Sequence, residues 1–172
     1  MSIAPSTSAA IDRTASDWVV LGLANAGNED LVLAGAYWLF QFSSSNARVR
    51  CTFAFAGGGL GVGAGLLPVD AVQPQNGVRI TGFRGFSAGD LDGAGGMVMD
   101  AGGDMFGLSF GTLKITAFDG NFIPYFSYQS VPGPNSGLGI DVSCVEGRWM
   151  LLSLRDQQTG KFSTAFGMNA GW

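Results

Sequence analysis

The sequence predicts a single all-β domain, an antiparallel β-barrel or strongly bent β-sandwich of about eight to ten strands. Three observations lead to this prediction. Apolar and polar residues alternate over most of the chain, helical periodicity is scarce, and Gly, Asn, Asp and Pro clusters separate the alternating segments at short intervals. A barrel is favoured because the longest alternating segment runs into glycines, which are typical of bent strands.

The length of 172 residues fits one domain. We expect residues 17–172 to form it and residues 1–16 to be a flexible N-terminal arm. The arm lacks a basic start followed by an apolar block, so no secretory signal peptide is predicted. The expected location is therefore the cytoplasm, or outside the cell after export without a leader.

The predicted strands of the first half are "DWVVLGLA" (17–24), "LVLAGAYWLFQF" (31–42), "ARVRCTFAFA" running on into glycines (from 47), and "NGVRITGF" (76–83). The second half offers two or three strands within 89–122, then "IPYFSYQSV" (123–131), "LGIDVSCVEG" (138–147), "RWMLLSLRD" (148–156) and "KFSTAFGMNAGW" (161–172). Ser87 and Asp90 match a helix-capping spacing, but the glycines that follow erode a helix, so we expect a turn there.

The glycine-rich stretch "FAFAGGGLGVGAGLLP" (53–68) invites comparison with a phosphate-binding loop. It has neither the G-x-G-x-x-G spacing that opens a helix nor the Lys and Ser or Thr of a P-loop, so both nucleotide interpretations fail. What it shows instead is a period of two, which predicts a strand with one nearly bare face. Such a face marks a bend or a place where a backbone, a ring or a ligand approaches closely. The glycines of this face are Gly57, Gly59, Gly61, Gly63 and Gly65.

Composition argues against several classes of chemistry. Thirteen carboxylates against nine scattered cations give a net charge of −4, and no basic stripe is available to a nucleic acid. The absence of histidine removes Ser–His and Cys–His nucleophile pairs and the commonest general base near neutral pH. We therefore expect no nucleic-acid partner, no cofactor and no catalytic residue, although paired carboxylates leave an enzyme open. Cys51 and Cys144 are expected to be two small apolar residues rather than a disulfide.

The densest carboxylates are those of Asp90, Asp92, Asp100 and Asp104. Hard oxygen ligands beside flexible glycines make Asp90, Asp92 and Asp104 weak candidates for a divalent cation. Neither an EF-hand loop nor a tandem glycine–aspartate repeat accompanies them. Carboxylates at turns are the simpler interpretation, and no metal site is predicted.

Two aromatic segments, "GFRGFSAG" and "NFIPYFSYQ", are the best candidates for a contact surface. If they lie in loops, they form an amphipathic cluster able to dock on lipid, sugar or another subunit; if they lie in strands, they belong to the core. The candidate contact residues are Phe83, Arg84, Phe86, Phe122, Ile123, Tyr125, Phe126 and Tyr128.

The C-terminal segment alternates apolar residues and ends on Trp172. It resembles the closing strand of bacterial outer-membrane barrels, which ends on an aromatic residue after apolar residues at every second position. The resemblance covers about eleven residues and implies a small outer-membrane β-barrel as one alternative.

The leading functional hypothesis is a non-enzymatic binding module that engages a lipid, a membrane or another apolar partner through aromatic loops. Three alternatives stay open: a self-assembling structural or interaction subunit, a carboxylate- or metal-dependent enzyme, and the outer-membrane barrel. Exposure of residues 122–128 favours the first, and burial favours a structural role.

Overall fold

The structure is a computed structural model that describes residues 7–25, 28–30, 33–62, 78–105, 108–129, 133–134 and 141–164. Within these residues there are two short helices, α1 (Thr7–Ile11) and α2 (Ala88–Leu91). Twelve strands accompany them in the same residues: β1 (Val19–Asn25), β2 (Asn28–Asp30), β3 (Leu33–Ser44), β4 (Val49–Val62), β5 (Val78–Arg79), β6 (Thr81–Gly82), β7 (Gly95–Met105), β8 (Leu108–Phe118), β9 (Pro124–Gln129), β10 (Gly133–Pro134), β11 (Asp141–Asp156) and β12 (Phe162–Thr164).

All twelve strands belong to one curled antiparallel sheet with the order β5-β1-β3-β4-β11-β7-β8-β9-β6. The short strands β2, β10 and β12 pair with β3, β8 and β11 outside this path. The predicted all-β, barrel-like fold is confirmed.

A single short segment joins the two ends of the sheet. Val78 and Arg79 pair with β1, and Thr81 and Gly82 pair with β9, so residues 78–82 contact both edges. The backbone N–H of Ile80 also donates to the Trp18 carbonyl (3.0 Å). Residues 78–82 thus bridge β1 and β9, which lie near the two ends of the curled sheet.

An aromatic cluster lies inside the curled sheet around Trp149. Trp149 of β11 is fully buried, and its indole N–H donates to the Thr116 carbonyl (3.3 Å). Its ring lies 5.0–6.4 Å, centroid to centroid, from the rings of Phe40, Phe42, Phe53, Phe55 and Phe126. Aromatic pairs at such distances add edge-to-face and tilted contacts to the burial of apolar area.

The strands β4 and β11 are the longest and pair along almost their whole length. The two strands expected over 138–147 and 148–156 are one continuous strand, β11. Gly147 does not interrupt it, because this residue lies directly opposite Gly57 and the two backbones approach closely there. The register shifts between Leu151 and Ser153, which is a β-bulge that bends the strand.

The helices α1 and α2 pack against each other and against β11. Ala15 forms a bridge with Phe86, whose ring stacks on Trp18 at 5.1 Å. The turn expected after Ser87 is a single helical turn, α2, because a reciprocal capping box between Ser87 and Asp90 satisfies its first N–H groups.

The described part of the expected N-terminal arm packs against the barrel. Ala10 of α1 is fully buried, and Arg13 donates from both guanidinium nitrogens to Asp156 (3.1 Å each). Burial raises the pKa of Asp156, but the hydrogen bonds from Arg13 and from the backbone N–H of Gln158 outweigh it, so this pKa is lowered overall. The side chain of Asp156 is only 1% exposed, so the pair fixes the N-terminal segment to the end of β11.

Candidate functional site

Three exposed apolar side chains lie on two neighbouring loops, one after β6 and one before β9. Phe83 is 63% exposed, Phe122 79% and Ile123 50%. The first follows β6, and the other two precede β9, with which β6 pairs. We call Phe83, Phe122 and Ile123 the apolar tip.

Asp119 shapes the loop that carries Phe122 and Ile123. Its side-chain Oδ1 accepts from the backbone N–H groups of Asn121 (2.8 Å) and Ile123 (3.0 Å). The backbone N–H of Phe122 donates to the Asp119 carbonyl (3.0 Å), and Phe122 has a left-handed φ of 61°. The N–H of Ile123, with further help from Asn121 and Arg84, lowers the pKa of Asp119. The loop is therefore a hydrogen-bonded turn that holds its apolar side chains outward.

Arg84 connects the two loops. Its guanidinium donates to Asp119 (2.8 Å) and lies 4.2 Å above the centre of the Tyr125 ring. The N–H of Phe83 donates to the Tyr125 carbonyl (3.2 Å). These contacts order the tip before any partner binds, which lowers the entropy lost on binding.

The remaining predicted contact residues lie inward. Phe126 is fully buried and Phe86 nearly so, with 5.5 Å between their ring centres, while Tyr125 and Tyr128 are half-buried. Burial raises the pKa of Tyr128. The eight predicted residues thus divide between a surface part, formed by the apolar tip and Arg84, and a core part.

Two glycines of β4 lie unusually close to the backbone of β11, the neighbouring strand in the same sheet. Gly57, Gly59 and Gly61 belong to β4, whereas 63 and 65 lie outside the described residues. A Cβ on Gly57 would collide with the Glu146 carbonyl, and one on Gly59 with the Cys144 carbonyl. Close approach of β11 therefore requires glycine at both positions.

The candidate carboxylates of Asp90 and Asp92 bond to backbone. Asp90 completes the cap of α2, and Asp92 accepts from the N–H of Leu151 (2.8 Å) at the bulge of β11. Asp100 and Asp104 lie in β7, with side chains outside what the structure describes. In the described residues no group of three or more Cys, Asp or Glu side chains is placed to hold a metal ion.

The cysteines are unpaired, and Cys51 is buried, which raises the pKa of its thiol. Cys51 pairs with Leu154 on β11, whereas Cys144 pairs with Leu60 on β4. The two sulfur atoms are thus separated by nine residues of strand, roughly 30 Å at the rise of an extended chain.

A cleft of about 420 Å³ on the outer face of the barrel was not predicted from the sequence. Its lining includes an arginine pair, Arg50 on β4 and Arg155 on β11, which are direct cross-strand partners. Alternation in "RVRCTF" and "LSLRD" could have placed each arginine outward, but only the strand register places one opposite the other. We call this site the polar cleft; its lining residues are Gln41, Arg50, Thr52, Ser153, Arg155, Gly160 and Phe162.

Comparisons of the chain with protein-family models, with curated protein sequences and with solved structures found no match. In the parts of the chain that the structure describes, neither helix is long and apolar enough to cross a bilayer. The function must therefore be argued from the sites alone.

Proposed function

We propose that this protein is a non-enzymatic binding module that attaches to a lipid surface through the apolar tip. The observation that carries the proposal is the exposure of Phe83, Phe122 and Ile123 together on two hydrogen-bonded loops. Isolated exposed apolar residues are normal on protein surfaces, but a group presented by ordered turns resembles a contact site.

The chemistry of the surrounding residues supports a lipid surface. Phe and aliphatic side chains on the apolar face of peripheral segments are buried at the boundary between headgroups and acyl chains. Arg84 and Asp119, which lie beside the tip, form a partly exposed ion pair, so the charges next to the rings are already paired.

The expected binding is weak and reversible. Full burial of one large apolar side chain contributes about 1.5–3 kcal/mol, and scaling by the exposed fractions gives about 3–6 kcal/mol for the tip. This amount approaches that of a single short acyl chain, which anchors a protein only marginally. A second attraction is therefore needed for stable attachment.

Vesicle flotation tests the proposal with two vesicle types, phosphatidylcholine alone and phosphatidylcholine containing phosphatidylserine. We expect the wild-type protein to float and Phe122→Ala to reduce the bound fraction by about tenfold, because about 1.4 kcal/mol of transfer free energy is lost. Met99→Ala is the matched control, because Met99 is 43% exposed but lies in β7, outside both the apolar tip and the polar cleft.

Two outcomes would reject the lipid surface. One is absence of flotation on both vesicle types, and the other is an equal loss in Phe122→Ala and Met99→Ala. A second copy of the chain is the alternative occupant of the tip. Light scattering that shows concentration-dependent dimers, lost in Phe122→Ala, would assign the tip to self-assembly.

A further inference from the structure

The outer face of strands β3, β4, β11 and β12 carries two neighbouring rows of cross-strand partners. One row is Ser43, Arg50, Arg155 and Phe162; the adjacent row is Gln41, Thr52, Ser153 and Thr164. Direct cross-strand partners point to the same face, with Cβ atoms about 4.5–5.5 Å apart. The rows therefore place two guanidinium groups beside several neutral hydrogen-bonding groups.

Arg50 and Arg155 form a like-charged pair. Both side chains are exposed, and neither has a carboxylate partner among the described residues. Like charges directly opposite each other on adjacent strands destabilise a sheet. An anion between the two guanidinium groups removes this repulsion, so the arrangement favours a bound anion.

The carboxylate next to Arg155 in the sequence points away from the arginine pair. Asp156 follows Arg155 directly, but it faces the interior and is occupied by Arg13. Two further cations, Arg48 and Lys161, lie exposed on the adjoining turns, which are joined by a hydrogen bond from the N–H of Gln157 to the Arg48 carbonyl (2.8 Å). Four cations thus lie on neighbouring strands and turns, while the Asp17 carboxylate binds the backbone of the turn that carries Arg48.

We propose that the polar cleft binds the phosphate or sulfate group of a small molecule. Two planar guanidinium forks match tetrahedral oxyanions, and the hydroxyl groups of Thr52 and Ser153 lie in the next row to donate further hydrogen bonds. The volume of about 420 Å³ is within the range of small-molecule sites, and Phe162 supplies an apolar wall for the rest of the ligand.

Thermal unfolding and isothermal titration calorimetry test the proposal with inorganic phosphate and sulfate as probes and chloride at equal ionic strength as the reference. We expect phosphate or sulfate to raise the melting temperature above that in chloride, because a ligand that binds the folded state stabilises it. Arg50→Gln and Arg155→Gln each weaken the affinity about tenfold or more, while Arg79→Gln, an exposed arginine on β5, leaves it unchanged.

The same variants separate binding from a structural role. In chloride alone, Arg50→Gln and Arg155→Gln unfold at or above the wild-type temperature, because each removes the like-charge repulsion. The proposal is overturned if neither the inorganic probes nor phosphatidic-acid vesicles bind in a way that depends on Arg50 and Arg155, or if Arg79→Gln weakens binding equally.

Vesicle flotation on phosphatidic acid identifies the source of the oxyanion. Loss of flotation on phosphatidic-acid vesicles in Arg50→Gln, without a response to inorganic phosphate, would assign the group to a lipid and retain the site. Because the apolar tip is unaltered in this variant, flotation on phosphatidylcholine alone should persist. Failure of this proposal is therefore distinguishable from failure of attachment through the tip.

Discussion

Replacement of Gly57 by alanine probes the close contact between β4 and β11. The new Cβ would lie 2.7 Å from the carbonyl carbon of Glu146 and 2.8 Å from the Cα of Gly147, whereas carbon atoms in contact prefer about 3.5–4.0 Å. Both obstacles are backbone atoms in the middle of paired strands, so the strands must separate by about 1 Å. Overpacking of this kind costs about 3 kcal/mol, and the lower entropy of the unfolded alanine chain returns about 0.5–1 kcal/mol.

The expected net loss for Gly57→Ala is therefore about 2 kcal/mol of unfolding free energy, or roughly 4–8 °C in melting temperature. Urea unfolding followed by tryptophan fluorescence measures it. Gly120→Ala is the control, because no atom lies within 4 Å of the added carbon and the change should stay within about 0.5 kcal/mol. Equal midpoints for the two variants would refute the explanation of the glycine face. Gly147→Ala disturbs the same contact from the other strand. The double variant should therefore lose less unfolding free energy than the sum of the two single variants.

Three further predictions concern groups that hold the barrel together. Asp92→Ala leaves the N–H of Leu151 without its acceptor, and urea unfolding should show a loss of about 1 kcal/mol. Trp149→Phe removes the hydrogen bond to Thr116 and leaves a cavity, with a loss of about 2 kcal/mol in thermal unfolding; an unchanged midpoint would contradict its central position. Because the pKa of Asp156 is lowered from 3.8 on folding, its contribution to stability is present above that value and declines as the pH falls through the folded-state pKa. The acid-side decline should therefore be shallower in Asp156→Asn, as measured by unfolding at a series of pH values.

The fold class follows from local patterns, because alternation alone assigns Phe53 and Phe55 to one face of a strand. Both are fully buried in the structure. The boundary expected at Gly147 is wrong for a physical reason: glycine ends a strand when judged alone, but here it faces another glycine across the sheet. Pairing between distant segments decides this outcome, and no local pattern contains it.

In the candidate site, too, residue types follow from local sequence patterns, whereas their exposure and neighbours depend on distant segments. The clustering of aromatics in 122–128 is evident from the sequence, but the exposure of Phe122 and the burial of Phe126 depend on the turn made by Asp119. The arginine pair depends on register, since a shift of one residue would turn Arg50 to the opposite face of β4. Residue types were therefore recognisable in advance, whereas their neighbours across the sheet were not.

The segment of residues 78–82 has a consequence for aggregation. Because these few residues pair with β1 on one side and β9 on the other, one proteolytic cut within them would free two strand edges at once. Unpaired edges are templates on which strands of other molecules add, so we expect a nicked chain to aggregate more readily than the intact chain. The resistance of this segment to proteases would thus govern the solubility of the protein as well as its stability.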